Sequence, residues 1–521
     1  MIRIINPEIN PPSLKDNTAD VDRIIKAAKR SIGQKDISMA LSLIKETPEK
    51  LRANNYRVSL CIFETEDRAE IIDIYGMDPS RDIYGIAVDL GSSTIVMRLM
   101  RLSDMKKIDQ ITFKNPQIKV GADILARIHF ASKGDGLKKL QDMVVQAMNK
   151  EIEGLSKRHN VALDEIVGIT VAGNTSMSHL FLGLTPYWIC REPYIPVINK
   201  FEPLKASDVG LGINPRAPLI VFPNVGSYFG GDLIAGILVS GMARQKDDIY
   251  MLVDVGTNAE VVLGNADWLM ACAGAAGPAL EGGVANIGMI AGPGVIDKIR
   301  IDPDTLNIKY HTIDELPPIG ICGSGIIDLV AQLFITGMID MRGKFVPERC
   351  GNRLIEQDGI KYLIIVSSEE SGTGQELTLS QPDIDSLIRS KAAMYTILTT
   401  IINTINISFK DIKKFYIAGT FGSYIDPVSA ITIGMIPDLP LDTYVSLGNT
   451  SIEGASMLFS SYSYYDEMFR IRDMITYMEL NVNQEFMQLF SAAKFIPHTD
   501  RSLFPSVRQY NEKNTKNKEG V

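Results

Sequence analysis

Two short stretches of the sequence place an aspartate and a glycine before small hydroxyl or amide residues. The first is VDLGSST at 88–94 and the second is VDVGTNAE at 253–260. In each, an apolar strand ends near the aspartate and a turn of small side chains follows. Main-chain N–H groups in such a turn can converge on a phosphate, and the aspartate can hold Mg²⁺ through its waters. The pair predicts two turns that bind nucleotide phosphates and magnesium.

The candidate residues of these turns follow from that chemistry. Asp89 and Asp254 are the predicted magnesium carriers and catalytic carboxylates. The predicted phosphate contacts are Gly91, Ser92, Ser93, Thr94, Gly256, Thr257 and Asn258. Two such turns could clamp one triphosphate and couple the nucleotide state to the angle between two lobes. Either stretch alone fits an ordinary hairpin equally well, so the prediction depends on both.

The patterns around the turns indicate an α/β protein built from two similar halves. Each half opens with a strand–turn–strand hairpin, at 85–100 and at 249–264. Amphipathic spacing predicts long helices at 137–155 and about 383–406. Strand-like segments follow, at 165–173 and within FYIAGTFGS at 415–423. The duplication is visible in the order of elements rather than in residue identity.

Composition shifts divide the chain into four predicted segments. They are a small α+β domain at 1–80, a first lobe at 81–246, a second lobe at 247–460 and a C-terminal helical extension at 461–521. In the first segment, helices near 20–31 and 37–52 are expected to precede two strands, RVSLCIF and EIIDIYG. The turn-rich MDPSRD at 77–82 marks the boundary that follows.

Charge, hydropathy and cysteine spacing exclude several classes of protein. The 521 residues carry a formal net charge of −9 with no basic stripe, which argues against a nucleic-acid partner. No apolar run is long enough to span a bilayer, and the first residues lack a secretory apolar segment. The five cysteines and five histidines are scattered, so no His or Cys metal site is predicted, and a reducing cytoplasm is expected.

Several single polar residues allow two interpretations. Lys391 lies on the apolar face of the helix at 383–406, so its ammonium group either reaches solvent or meets an anion such as the nucleotide. Four polar residues at strand ends of the first half could line a cleft or cap helices. They are Asn115, Gln117, Asp123 and Asn174. Cys322 is interpreted as a small buried hydrophobe without a redox role.

Ten ordered motifs carry a resemblance to a known family. VDLGSST and VDVGTNAE resemble the two phosphate motifs of the actin-like ATPases, which include sugar kinases and heat-shock chaperones. The stretches INPPSLKDNTADVDR, NPQIKVGADILARI, VAGNTSMSHLFLG, YFGGDLIAG, GPALEGG, GICGSGIIDLVAQL, AGTFGSYID and GNTSIEGA resemble, in order, the reductive activators of corrinoid proteins. The resemblance covers about residues 7–455, and FIPHTDRSLFP is similar to that family's ending. It implies a two-lobed actin-like, ribonuclease H-like ATPase fold with a small N-terminal α+β domain.

The resemblance adds further candidate site residues. It implies that Gly231 contacts the nucleotide and that Asp232 orients the attacking water or Mg²⁺, although a helix N-cap is an equally good reading of Gly-Gly-Asp. It places Gly323, Ser324 and Gly325 beside the nucleotide, while tight helix packing would use the same glycines. IAGTFGS at 417–423 resembles the adenosine loop of the superfamily. Its candidate contacts are Gly419, Thr420 and Gly422.

One feature of the family is missing from this sequence. Described members carry an N-terminal ferredoxin domain with a 2Fe–2S cluster, whereas this sequence starts at the domain that follows it. The cysteines present do not form the C-x₄-C-x₂-C pattern. We therefore expect ATP and Mg²⁺ as cofactors, no iron–sulfur cluster in this chain, and a separate ferredoxin-type electron donor.

The function implied by the resemblance is ATP-dependent reduction of a corrinoid protein from Co(II) to Co(I) in a methyltransferase system. The sequence lacks D-x-H-x-x-G, so the corrinoid is expected on the partner protein. A small-molecule kinase of the same fold and a nucleotide-gated scaffold that does not reduce the corrinoid are the alternatives. Residues 1–80 are a candidate dimer contact by resemblance, which would make the protein a homodimer.

Overall fold

The computed structural model describes residues 1–227, 229–256, 258–275, 286–419, 425–480 and 484–509. The chain divides into two compact units. One consists of residues 1–239 and 450–473, and the other of residues 240–449 and those from 474 onward. Within the described residues, no helix has both the length and the apolar character needed to cross a membrane.

The N-terminal part of the first unit is a small α+β layer. Its elements are β1 (Ile2–Ile5), α1 (Asp20–Ile32), β2 (Asp36–Met39), α2 (Leu41–Ala53), β3 (Val58–Glu64) and β4 (Arg68–Gly76), with the sheet order β1-β3-β4-β2. The helix expected near 37–52 is wrong at its start, because residues 36–39 form a strand. That strand pairs in parallel with residues 68–71 of β4, so a contact distant in sequence overrides the local helical pattern.

A six-stranded sheet forms the centre of the first unit. Its strands are β5 (Tyr84–Leu90), β6 (Thr94–Arg101), β7 (Lys106–Lys114), β8 (Ile166–Gly173), β9 (Leu204–Lys205) and β10 (Pro218–Val221). The spatial order is β7-β6-β5-β8-β10-β9. β5, β6 and β7 are antiparallel neighbours, whereas β8 runs parallel to β5 and to β10. The hairpin expected at 85–100 is confirmed as β5 and β6.

Three helices of the first unit lie between those strands along the chain, and a fourth follows the last of them. They are α3 (Ile124–Ala131), α4 (Gly136–His159), α5 (Thr175–Leu182) and α6 (Gly231–Ser240). The apolar stripe expected at 137–155 is confirmed in α4, where five of its residues have no exposed surface: Leu140, Val144, Met148, Ile152 and Leu155. They pack with the sheet residues Ile86, Val88 and Val171 in one core. Burial of this stripe fixes α4 against the sheet that carries the first Asp-Gly turn.

The second unit contains the remaining strands and most of the remaining helices. The strands are β11 (Ile249–Val255), β12 (Asn258–Gly264), β13 (Leu269–Ala275), β14 (Val295–Ile301), β15 (Ile308–Thr312), β16 (Gly320–Ile321), β17 (Leu354–Gln357), β18 (Ile360–Val366), β19 (Leu377–Ser380), β20 (Ile412–Ala418), β21 (Tyr444–Gly448) and β22 (Ile475–Tyr477). The helices that follow α6 in the described part of the chain are α7 (Gly323–Ile335), α8 (Pro347–Cys350), α9 (Gln381–Thr404), α10 (Pro427–Thr432), α11 (Thr450–Met457), α12 (Tyr462–Met474) and α13 (Gln484–Ala493).

The large sheet of the second unit repeats the topology of the first. Its order is β21-β20-β11-β12-β13-β22, with β11, β12 and β13 antiparallel and β20 parallel to both β11 and β21. When the edge strands β9 and β22 are left out, the five remaining strands of each sheet read 3-2-1-4-5 within their half, the ribonuclease H-like arrangement. The duplication that the sequence indicated is confirmed in topology and strand direction.

Residues 450–473 pack in the first unit, although the sequence-based division gives them to the second lobe and the C-terminal extension. Arg98 of β6 donates to both carboxylate oxygens of Glu453 in α11, at 2.6 and 2.9 Å. The Thr170 hydroxyl donates to the Ala455 carbonyl at 2.8 Å. These partners are about three hundred residues apart in sequence, so no local pattern announces them.

A glycine in α11 allows the helix to lie against α6. A Cβ atom on Gly454 would sit 2.7 Å from the Ala235 Cβ and 3.0 Å from its Cα. Real Cβ atoms do not approach that closely, so only glycine permits this spacing. α6 carries the candidate residue Asp232, and Gly454 therefore helps to set its position.

We expect Gly454→Ala to lower the free energy of unfolding by about 1–3 kcal/mol, because overpacking outweighs the gain in helix propensity. The matched control is Gly154→Ala in α4, where the added Cβ would meet only the Arg158 guanidinium nitrogen at 3.7 Å. That variant should gain about 0.5–1 kcal/mol. Urea unfolding of both proteins measures the difference, and equal shifts would contradict the packing role of Gly454.

Candidate functional site

The first Asp-Gly turn connects β5 to β6. Asp89 is the next-to-last residue of β5, and Leu90 pairs with Ile95 across a four-residue connection that holds Gly91, Ser92, Ser93 and the start of β6 at Thr94. A Cβ on Gly91 would lie 2.4 Å from the Thr94 carbonyl oxygen. The turn therefore requires glycine, and its small residues leave main-chain N–H groups free of bulky neighbours.

Asn115 stabilises this turn through hydrogen bonds to two of its carbonyl groups. Its Nδ2 donates to the Gly91 carbonyl at 2.9 Å, and its main-chain N–H donates to the Ser93 carbonyl at 2.9 Å. Its Oδ1 accepts the Gln117 N–H at 3.0 Å. With only 1% of its surface exposed, Asn115 fixes the conformation of the turn and does not line an open cleft.

The other polar candidates of the first unit have structural partners. Asp123 and Asn174 are N-caps: their Oδ1 atoms accept the N–H groups of Ala126 at 2.8 Å and Met177 at 2.9 Å. Gln117 is fully buried and donates to the Leu140 carbonyl at 2.9 Å. Since Asn115 also caps the short 3₁₀ helix Pro116–Lys119, the helix-cap alternative is confirmed for three of the four residues.

The second Asp-Gly turn occupies the equivalent place in the other sheet. Asp254 is the next-to-last residue of β11 and lies opposite Glu260 of β12. Gly256 follows, Thr257 lies outside the described residues, and Asn258 begins β12. Each sheet therefore has a half-buried aspartate at the next-to-last position of its central strand, Asp89 on β5 and Asp254 on β11.

The strand beside each aspartate strengthens that equivalence. Asp89 lies opposite Ala172 of β8, and Asp254 lies opposite Ala418 of β20. A glycine follows each alanine, Gly173 in one unit and Gly419 in the other. Gly173 is a residue that the sequence analysis missed, although the shared Ala-Gly after each of these strands could have revealed it.

Gly419 contacts the second aspartate directly. Its φ of +86° favours glycine, and an added Cβ would lie 2.8 Å from the Asp254 Oδ1. The backbone of the predicted adenosine loop thus begins against the Asp254 carboxylate. Thr420 and Gly422 of that loop lie outside the described residues, as does GPALEGG at 277–283.

Asp232 is held near the end of β8 by two adjacent glycines. A Cβ on Gly230 would lie 2.3 Å from the Asn174 Cα, and one on Gly231 would lie 2.3 Å from the Phe222 Cβ. The Thr175 hydroxyl also donates to the Phe229 carbonyl at 3.1 Å. These contacts pin the start of α6 to the strand that neighbours Asp89.

The environment of Asp232 disfavours its charge. Helix α6 begins at Gly231, so Asp232 lies in the first turn and not at the N-cap position, and its Oδ1 accepts the Leu233 N–H at 2.9 Å. Burial raises the pKa of Asp232 to about 6, and that hydrogen bond only partly offsets the effect. A carboxylate with a pKa near neutrality is well matched to accepting a proton from water.

The loop at 320–325 leads into α7. A Cβ on Gly325 would lie 2.6 Å from the Ile296 carbonyl oxygen, so this glycine is required for packing against β14. Ser324 is 5% exposed, and its hydroxyl contacts the Cys322 thiol at 3.2 Å. The packing interpretation is therefore supported for Gly325, and the nucleotide contact of Gly323 and Ser324 stays a prediction.

Lys391 does not reach solvent. Its side chain is 1% exposed, and the ammonium donates to the carbonyls of Phe495 and Pro497, the latter at 2.8 Å. Burial lowers its pKa well below the ordinary value. These contacts fasten the FIPH segment to α9, and a contact of Lys391 with a nucleotide stays a prediction.

The described residues do not form a complete set of protein ligands for a metal ion beside the turns. Among the described residues, no three His, Cys, Asp or Glu side chains cluster closely enough to hold a metal ion. Magnesium keeps most of its waters and needs only one or two carboxylates beside the phosphates. Asp89 and Asp254 each supply one carboxylate of that kind at the end of a central strand.

We expect Asp232→Asn to stabilise the protein at neutral pH. The pKa of Asp232 is about 6 in the folded state and lower in the unfolded state. The free energy of unfolding of the wild-type protein therefore falls as the pH rises from about 4 to 6 and the buried carboxyl group becomes charged. Thermal or urea unfolding should show a gain on the order of 1–3 kcal/mol at pH 7.5 that shrinks toward pH 4.

Asp73→Asn provides a control of opposite sign. Burial raises the pKa of Asp73, but Lys50 and Arg216 more than offset it and hold the value below its ordinary range. Asp73→Asn should therefore destabilise the protein at neutral pH. A loss of stability in Asp232→Asn at pH 7.5 would contradict the environment described for Asp232.

Three family models match consecutive parts of this chain. They describe the RACo linker region at residues 1–81, the RACo middle region at 84–245, and the C-terminal domain of RACo, the ASKHA domain, at 248–508. A solved structure of a reductive activator for corrinoid, iron–sulfur protein is 36% identical with a TM-score of 0.90. That match covers 97% of this chain and 80% of the other.

Two curated proteins are also similar over most of their length. The corrinoid activation enzyme RamQ of Eubacterium limosum is 30% identical over 482 residues, which are 91% of this chain and 79% of that protein. The Co(II) methylated amine-specific corrinoid protein reductase of Methanosarcina barkeri is 24% identical over 424 residues, covering 76% and 73%.

Proposed function

This chain belongs to the RACo family of reductive activators of corrinoid proteins, and from that premise we propose that it uses ATP to reduce a partner's corrinoid from Co(II) to Co(I). One electron passes from a separate low-potential donor to the cobalt, within a methyltransferase system. The relatives named above activate or reduce corrinoid proteins, which supports the partner class. The five cysteines are free, as a protein of the reducing cytoplasm would have them.

The observation that carries the ATP dependence is the matched pair of aspartates. Asp89 and Asp254 stand at equivalent positions of two sheets whose five shared strands have the same order, Asp89 beside a turn that requires Gly91 and Asp254 against Gly419. In the proposed site, these carboxylates accept hydrogen bonds from the waters of the cation. The N–H and hydroxyl groups of Gly91, Ser92, Ser93 and Thr94 donate to phosphate oxygens, as do those of Gly256, Thr257 and Asn258. Bound Mg²⁺ supplies charge neutralisation to the phosphates.

Asp232 has a separate proposed role in hydrolysis. Its carboxylate, with a pKa of about 6, orients a water molecule and accepts its proton as the water oxygen bonds to the terminal phosphorus. The bond from that phosphorus to the bridging oxygen breaks, and ADP leaves with the bridging oxygen. The proton then passes to solvent.

ATP is needed because the electron transfer is uphill. Each ~100 mV of unfavourable one-electron transfer costs about 2.3 kcal/mol. A protein that binds its partner more tightly in one nucleotide state can supply that energy as differential binding. We expect one nucleotide per chain.

Reduction of the partner's cobalt tests this function directly. The partner corrinoid protein is held as Co(II) with a low-potential reductant, and the Co(I) absorbance is followed with and without this chain and ATP. We expect Co(I) to form only when both are present. An equal rate with reductant alone would refute the proposal, and ATP-dependent binding without reduction would favour the non-redox scaffold.

We expect Asp89→Ala and Asp254→Ala each to lower steady-state ATP hydrolysis by at least about a hundredfold, since each removes a carboxylate that holds the cation. Asp104→Ala is the matched control. Asp104 is exposed in the next hairpin of the same sheet, where it pairs with Arg101 at 2.7 Å. Wild-type turnover in both site variants, with circular dichroism unchanged, would show that the turns do not carry the reaction.

A further inference from the structure

Arg127 in α3 is the unusual member of the buried arginines. Four arginines of the described chain are buried, and three of them are ion-paired. Arg23 pairs with Asp16, Arg98 with Glu453, and Arg216 with Asp73 and Glu46. Arg127 has no exposed surface, yet among the described residues no carboxylate lies within ion-pair distance of it. Among the described residues its charge therefore has no ion-pair partner, and Asp123 acts on it only as a more distant negative charge.

The contacts of Arg127 are all to uncharged groups. Its Nε donates to the Gly121 carbonyl at 2.9 Å, and its Nη1 lies 3.5 Å from the Met177 sulfur, a weak acceptor. Its Nη2 is buried and has no hydrogen-bond partner. The burial also lowers the pKa of the guanidinium. A charge in this condition costs stability, and replacement by an apolar side chain of similar size commonly recovers it.

Arg127 is connected to the first Asp-Gly turn by a short series of contacts. Met177, which Arg127 contacts, also lies 3.9 Å from the Asn115 Nδ2. The same Nδ2 donates to the Gly91 carbonyl of the turn at 2.9 Å. A positive charge in an apolar interior is weakly screened, so its potential extends to the turn residues.

We propose that Arg127 is a positioning residue whose unpaired charge favours a polyphosphate anion on the turn at residues 89–94. The nucleotide's phosphates then supply a counter-charge beyond that of Asp123, which forms no ion pair with Arg127. This inference rests on the proposed function. It explains why the first turn would bind a charged nucleotide more tightly than an uncharged nucleoside. Arg127 does not touch the ligand, and it acts through the potential and through the Asn115 hydrogen bonds to the turn.

A simpler structural role predicts different behaviour. A buried water between the Arg127 Nη2 and the Gln117 Oε1, which also lacks a partner, would satisfy both groups. In that case Arg127 stabilises the fold, and its removal lowers the melting temperature without selecting against charged ligands. The two roles therefore differ in the sign of the stability change and in which ligands lose affinity.

Calorimetric titration and thermal unfolding of Arg127→Met separate these roles. We expect melting at or above the wild-type temperature, Mg-ATP affinity weaker by about tenfold or more, and adenosine affinity changed less than about twofold. Arg127→Gln, which keeps a donor for the Gly121 carbonyl, should lose the same affinity. Arg127→Lys, which keeps the charge, should restore most of it.

Arg216→Met is the matched control, because Arg216 is also buried but is ion-paired with Asp73 and Glu46. It should melt at a lower temperature and bind Mg-ATP within about twofold of the wild type. Unchanged Mg-ATP affinity in both neutral Arg127 variants, or equal losses for adenosine and Mg-ATP, would overturn the inference. A wild-type protein that binds no Mg-ATP would refute the proposed function as well, so the two failures are distinguishable.

Discussion

Close backbone approach at the ends of the two central strands is the constraint on which the structure depends. Gly91 lies against the Thr94 carbonyl, Gly230 against Asn174, and Gly419 against the Asp254 carboxylate, each at a spacing that a Cβ atom would prevent. Main-chain groups must crowd together here if they are to present donors to an anion. The flanking elements hold this close packing in place. Asn115 donates to the Gly91 carbonyl of one turn, and Gly230 and Gly231 allow the start of α6 to pack closely against residues that follow β8 and β10.

The part of the molecule that local patterns encode was predictable. Alternating and 3.6-residue periodicities gave both hairpins, α4 and α9, because burial of one face repeats along each element. What the sequence could not disclose depends on distant partners. The pairing of residues 36–39 with β4, the return of α11 to the first unit, and the burial of Lys391 against Phe495 and Pro497 each join segments far apart in sequence. Arg127 was missed because a charged residue in an amphipathic helix looks like surface until its neighbours are known.

Two ionisable groups of the first unit are held in unfavourable surroundings. Asp232 has a raised pKa, and Arg127 lacks an ion-pair partner among the described residues. In contrast, Arg98 and Arg216 are paired and belong to the framework. Natural proteins tolerate such costs mainly where a reaction or a ligand uses them. The contrast separates residues that hold the fold from residues that the proposed chemistry requires, even though all four are buried or half-buried.

The route of the chain between the units has a consequence for biosynthesis. The first unit lacks α11 and α12 until residue 473 has been made, yet residues 240–449 of the second unit are translated before them. At about 5–20 residues per second, the ribosome adds that intervening stretch in roughly 10–40 s. Throughout this interval Arg98 has no Glu453, and the surface destined for α11 stays open on the nascent protein. Recruitment of chaperones to the nascent chain would therefore be concentrated in that window.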